Sequence, residues 1–158
     1  MNILLNIALI LILLIIVYQD LKFRLIHMFL PMLILILGIM IKWTSLNWIE
    51  LFYSLLFLTL NFVFVTVYFS IKNKGWVNPF QNMIGIGDLL FLVALVPFFT
   101  SRNYILFFVM GMIFSLILYG VIKSIYRIEN TIPLAGYLSI FMIGVLGINT
   151  FFDNNFLL

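Results

Sequence analysis

Six long apolar segments, at about residues 2–18, 26–41, 48–71, 83–99, 104–122 and 132–152, leave this 158-residue chain little conformational freedom. Each is near or somewhat below the ~20 residues that cross a hydrocarbon core of about 30 Å as a helix. Mean hydropathy is +1.30 and only 8% of the residues are charged, against about 25% in a water-soluble domain. Such a chain cannot be a soluble globule. It is expected to be an all-α integral membrane protein, a polytopic bundle of about six transmembrane helices in a single domain, residues 1–158. No internal repeat or low-complexity tract divides it. The first segment has no basic flank before it and no small-residue cleavage site before Tyr18-Gln19-Asp20. It is therefore expected to be a retained spanning helix rather than a signal peptide.

The linkers predict the orientation. Lys22 and Arg24, Lys72 and Lys74, and Lys123 and Arg127 fall in alternate linkers, and the intervening ones hold Lys42 and Arg102. Cytoplasmic loops carry the excess of Lys and Arg, so the first set is expected inside and both termini outside a cell inner (cytoplasmic) membrane. Tyr18, Trp43, Trp48, Trp76, Tyr104 and Tyr126 stand at segment ends, where amphipathic rings prefer the membrane–water interface. The net charge of +3 is spread singly or in twos between apolar runs. It predicts topology and contact with the bilayer, not a nucleic-acid partner. The longest basic linker, residues 72–82, contains Gly75 and Pro79 and is expected to be a mobile loop and a candidate gate. With no cysteine, disulfides, thiol catalysis and cysteine–metal sites are excluded. The single His27 has no carboxylates at ligand spacing, so no metal site is expected.

Against this background the carboxylates carry the chemistry, because a charge near hydrocarbon is costly and needs a partner. Asp20 ends the first apolar segment, and Asp88 stands behind two glycines in Gly85-Ile86-Gly87-Asp88. The charge pattern puts both at the same membrane face. Two aspartates brought together there can share a proton: one takes a proton from water while the other protonates a carbonyl oxygen, with no metal, cofactor or covalent intermediate. Gly85 and Gly87, lacking Cβ atoms, would let the chain unwind before Asp88 and let an extended substrate backbone approach.

Each residue also has an ordinary reading. Asp88 alone is a helix N-cap, and Asp20 alone is an interfacial charge beside Lys22 or Arg24. Glu50, Glu129 and Asp153 read as loop charges, and His27 as an interface or packing residue. It is the conjunction of Asp20 and Asp88 on one side that favours the catalytic reading.

The chain resembles the type IV prepilin peptidase family, membrane aspartyl proteases of the GxGD class, at three places. Asp20-Leu-Lys-Phe-Arg-Leu-Ile26-His27-Met28 is similar to the family's first aspartate with its basic turn and Ile-Pro-Asn-like entry. Gly85-Ile-Gly-Asp88-Leu89-Leu90 is similar to its Gly-x-Gly-Asp-x-Lys-Leu. Ile132-Pro133-Leu134-Ala135-Gly136-Tyr137 looks like its Ile-Pro-Phe-Gly-Pro-Phe segment. The resemblance implies an aspartic-type endopeptidase that removes the leader of prepilin or pseudopilin substrates at the cytoplasmic face. Asp20 and Asp88 would be catalytic, with Gly85 and Gly87 in the motif. Leu90 stands where the family has lysine, and His27-Met28 where it has Pro-Asn. The cysteine-bearing N-methylation domain is absent, which implies a minimal peptidase without methyltransferase activity. The alternative is a catalytically silent relative that binds prepilins or assists pilus or secretion assembly. A proton-coupled transporter is a third reading, but paired broken helices in two related halves are missing.

Overall fold

In hydrocarbon every backbone N–H and C=O must find a partner within the chain, and a helix satisfies them segment by segment. The computed structural model, which describes residues 3–74, 85–125 and 132–152, follows that rule. Its helices are α1 (Ile3–Phe23), α2 (Phe29–Ile41), α3 (Trp48–Lys72), α4 (Ile86–Leu95), α5 (Ser101–Ile125) and α6 (Leu134–Phe152), with a 3-10 turn at Val96–Phe98. No strand occurs among the described residues. The protein is an all-α bundle, and each of the six apolar segments is mainly helical over its described residues.

Among the described residues three helical stretches, Leu4–Phe23, Trp48–Lys72 and Ser101–Ser124, are long and apolar enough to cross a membrane. They alternate in sequence with the shorter apolar helices α2, α4 and α6. Two local breaks keep the intervening helices short. Arg24 adopts a left-handed backbone (φ 55°) and its N–H donates to the Asp20 carbonyl, so α1 ends there and α2 starts only at Phe29. Pro97, which has no N–H to offer, lies in the 3-10 turn that terminates α4.

The packing order explains how the ends of separate helices meet. Helix α6 packs on α1, α5 and α4, and α2 packs on α1, α4 and the 3-10 turn. Helix α3 packs on α5 and the 3-10 turn. Two glycines permit the closest approaches. A Cβ on Gly38 would lie 2.7 Å from the Phe98 ring, and one on Gly111 would lie 2.6 Å from Leu138. The core joins Leu9, Leu13 and Ile16 of α1 to Phe91 and Leu95 of α4 and to Leu138 and Met142 of α6, all fully buried. Buried Tyr104 of α5 donates its hydroxyl to the Leu92 carbonyl of α4 at 3.0 Å. Leu11, Phe52, Phe64 and Leu116 are exposed on the flanks. A lipid solvent accommodates such side chains, whereas in water they would form an adhesive patch.

This antiparallel path gathers the end of α1 and the starts of α4 and α6 at one end of the bundle. The α2–α3 loop, the 3-10 turn and the start of α5 lie at the other. The expected mobile linker at residues 72–82 falls almost wholly outside the described residues, as do Glu129 and Asp153.

Candidate active site

Asp20 reaches the interior because of its helical register. It lies within the last turns of α1 rather than beyond the helix, and it extends the buried stripe Leu9, Leu13, Ile16 by one further step of four. Residues at such spacings share one face of a helix. The face that buries leucine for two turns therefore buries a carboxylate in the next, and Asp20 is only 5% exposed. Lys22 points elsewhere, donating to the Tyr18 hydroxyl at 2.7 Å and lying over the Tyr18 and Phe23 rings. Arg24 is the cation whose charge acts on Asp20.

Asp88 is placed by the start of α4. Gly85 is the N-cap, with an extended backbone (φ −65°, ψ 136°), and its carbonyl accepts from Leu89 N at 3.2 Å. Asp88, three residues on, receives the Gly85 backbone N–H in return, the acidic half of a capping box. The expected N-cap thus moves from Asp88 to Gly85, since the carboxylate reaches back rather than forward. Gly87 is already helical, so the chain is not unwound immediately before Asp88. Its missing Cβ serves packing instead, because one built there would lie 3.3 Å from Ile26 Cβ. A Cβ on Gly85 would lie 3.1 Å from the Asp88 carboxylate.

Both carboxylates converge on the N-terminus of α6. Ala135 N donates to Asp88 Oδ1 at 3.0 Å, and Gly136 N donates to Asp20 Oδ2 at 2.6 Å. These are consecutive amides in the first turn, where N–H groups have no intrahelical partner. The Pro133 carbonyl accepts from Tyr137 N at 3.1 Å and so begins the helical ladder. One helix is thereby capped from two others, and the positive end of its dipole faces two acidic groups. Such a hydrogen bond is charge-assisted, and strong, wherever the carboxyl group that accepts it is ionised. The two aspartates are close enough for their charges to act on each other. Gly136 makes this possible: a Cβ there would meet Asp20 Oδ2 at 3.1 Å and Asp20 Cβ at 3.2 Å. Tyr137 is also buried, and its hydroxyl feels the charges of both Arg24 and Asp20.

The amides of Ala135 and Gly136 are the components that sequence reasoning did not assign. Every residue but proline carries an N–H, so the available signal was positional: Pro133 opens the segment, and a glycine follows three residues later. Glu50 differs from its expected role as a loop charge. From the first turn of α3 its Oε2 accepts from Ser101 N at 2.7 Å and from the Ser101 hydroxyl, capping α5 at the far end of the bundle. His27 is exposed, and only its backbone contributes, donating to Gln19 Oε1 at 3.3 Å. Among the described residues no three His, Asp or Glu side chains gather at one point. The site consists of two carboxylates, two amides and a nearby arginine, an arrangement suited to moving protons between two oxygens and a water. No protein-family model matches the sequence, and no curated protein or solved structure matches it.

Proposed function

We propose that this chain is a membrane aspartyl endopeptidase that removes the leader of prepilin-like substrates. One observation carries the reading: the first-turn amides of α6 hold Asp20 and Asp88 side by side, although 67 residues of mostly apolar chain lie between them. A structural role for either aspartate alone does not require the other. In the proposed reaction one carboxylate accepts a proton from water as the water oxygen bonds to the scissile carbonyl carbon. The other donates its proton to the carbonyl oxygen. Collapse of the resulting diol breaks the C–N bond: a diol hydroxyl returns its proton to the second carboxylate, and the first passes the proton it took from water to the leaving amine. The backbone amides stay fixed throughout and orient both carboxylates.

The excess of basic residues at the aspartate end supports placing the site at the cytoplasmic face of the cell inner membrane, with both termini outside. The resemblance at residues 20–28, 85–90 and 132–137 supports prepilin or pseudopilin leaders as substrates. The test is co-expression with a tagged prepilin-like protein in a host lacking its own leader peptidase, followed by mass. Loss of the leader with the natural sequence, and not with Asp20→Asn or Asp88→Asn, supports the proposal. Cleavage that persists in either variant refutes the dyad. Leu90 at the family's lysine position favours one second reading, a silent relative that binds prepilins. That reading predicts that an intact precursor co-purifies with all three forms.

A further inference from the structure

The end of the bundle opposite the aspartates carries a second feature, unconnected with proteolysis. An apolar groove of about 430 Å³ opens between α2 and α3, walled by Leu35 and Ile39, Leu51 and Leu55, and Val93. Along Leu46, Leu51 and Pro97 it adjoins a polar pocket of about 220 Å³ that includes Lys42, Asn47, Glu50 and Thr100. Trp43 and Trp48, 76% and 78% exposed, flank the α2–α3 loop, and exposed tryptophans settle at headgroup level. The groove thus descends from the interface into the hydrocarbon, while the pocket lies at the surface. From Trp43 to Leu35 the α2 wall runs eight residues, about 12 Å at 1.5 Å per residue. That is close to the ~15 Å depth of one leaflet.

We propose that this compound site binds one glycerophospholipid with an amine-bearing headgroup, from the leaflet on the Trp43 side. An amphipathic slot of this kind matches a molecule that is itself half hydrocarbon and half ion. One acyl chain occupies the groove. The phosphate meets the Lys42 ammonium and the Asn47 and Thr100 donors. The amine faces Glu50, whose Oε2 is already fixed by Ser101 and whose second oxygen can accept it. A headgroup that ends in neutral hydroxyls brings the same phosphate but no cation to the Glu50 carboxylate, so the pocket discriminates by headgroup as well as by chain. A bound lipid then bridges α2, α3 and the 3-10 turn, where α3 packs on the turn but hardly on α2.

Native mass spectrometry of the purified full chain tests this, using phosphatidylethanolamine and phosphatidylglycerol of identical acyl chains as probes. One phosphatidylethanolamine is expected to stay bound in preference to phosphatidylglycerol. Lys42→Glu is expected to weaken it at least about ten-fold, since it removes one charge-assisted hydrogen bond and sets a carboxylate beside the phosphate, and Lys42→Arg to keep it. Leu35→Trp fills the groove and is expected to abolish retention. Val93→Phe on the facing wall repeats that test should Leu35→Trp fail to fold. Equal retention by the natural and groove-filled proteins overturns the site, and a preference for phosphatidylglycerol overturns the headgroup assignment. None of these outcomes depends on peptidase activity.

Discussion

Replacing Gly136 with alanine distinguishes a working contact from an incidental glycine by the sign of its effect. In an ordinary helical position Gly→Ala stabilises by up to about 1 kcal/mol, because glycine loses the most backbone entropy. Here the added methyl lies 3.1 Å from Asp20 Oδ2 and 3.2 Å from its Cβ, and Asp20 is packed at 5% exposure with little room to yield. Either the carboxylate withdraws or α6 recoils, and in both cases the 2.6 Å bond from Gly136 N is lost or stretched. A hydrogen bond to a charged group contributes about 1.5–3 kcal/mol, so the net expectation is a destabilisation of about 1–2 kcal/mol. Displacing a catalytic group by a fraction of an ångström to 1 Å also lowers the rate by up to about 10²-fold. Gly144 in the same helix is the control, since a Cβ there meets nothing within 4 Å. Thermal unfolding in detergent and leader cleavage in vesicles give the two readouts. If Gly136→Ala stabilises as Gly144→Ala does and cleaves normally, the close approach of α6 to Asp20 is wrong.

Three further outcomes follow from the same contacts. Asp20→Asn keeps an acceptor for the Gly136 amide and is expected to melt near the natural protein, whereas Asp20→Ala orphans a buried N–H and lowers stability by about 1–3 kcal/mol; paired melting curves check this. Tyr104→Phe removes the buried bond to the Leu92 carbonyl and leaves that carbonyl without its side-chain donor, so a loss of about 1 kcal/mol is expected in unfolding, with α4 loosened against α5. Glu50→Ala removes the cap on Ser101 and is expected to speed amide exchange in the first turn of α5 while leaving exchange at Ala135 and Gly136 unchanged.

The fold class was legible because hydrocarbon permits so few backbone solutions, and each of the six apolar runs contains a helix among the described residues. Their boundaries were less visible, for a physical reason. In α1 the buried residues Leu9, Leu13 and Ile16 and the exposed residues Leu11 and Leu14 are equally apolar, since lipid takes the place of water on the outer face. Periodicity therefore cannot show which side of α1 faces inward. Asp20 marks that side, and it was conspicuous because an acid in an apolar chain is expensive. The same cost made Asp88 visible. What holds the two together is backbone, two amides at the start of α6, and backbone donors leave no residue-type signature. Glu50 was misread because a carboxylate that caps a neighbouring helix looks, in sequence, like any interfacial acid.

The most direct test of the two-carboxylate peptidase is the rate of leader release by the purified chain in lipid vesicles, with a prepilin-like substrate and no other protein present. The natural sequence is expected to release the leader, while Asp20→Asn and Asp88→Asn release none yet unfold at nearly the same temperature. Release by either variant at the natural rate, or none by the natural sequence when all three are folded, contradicts it.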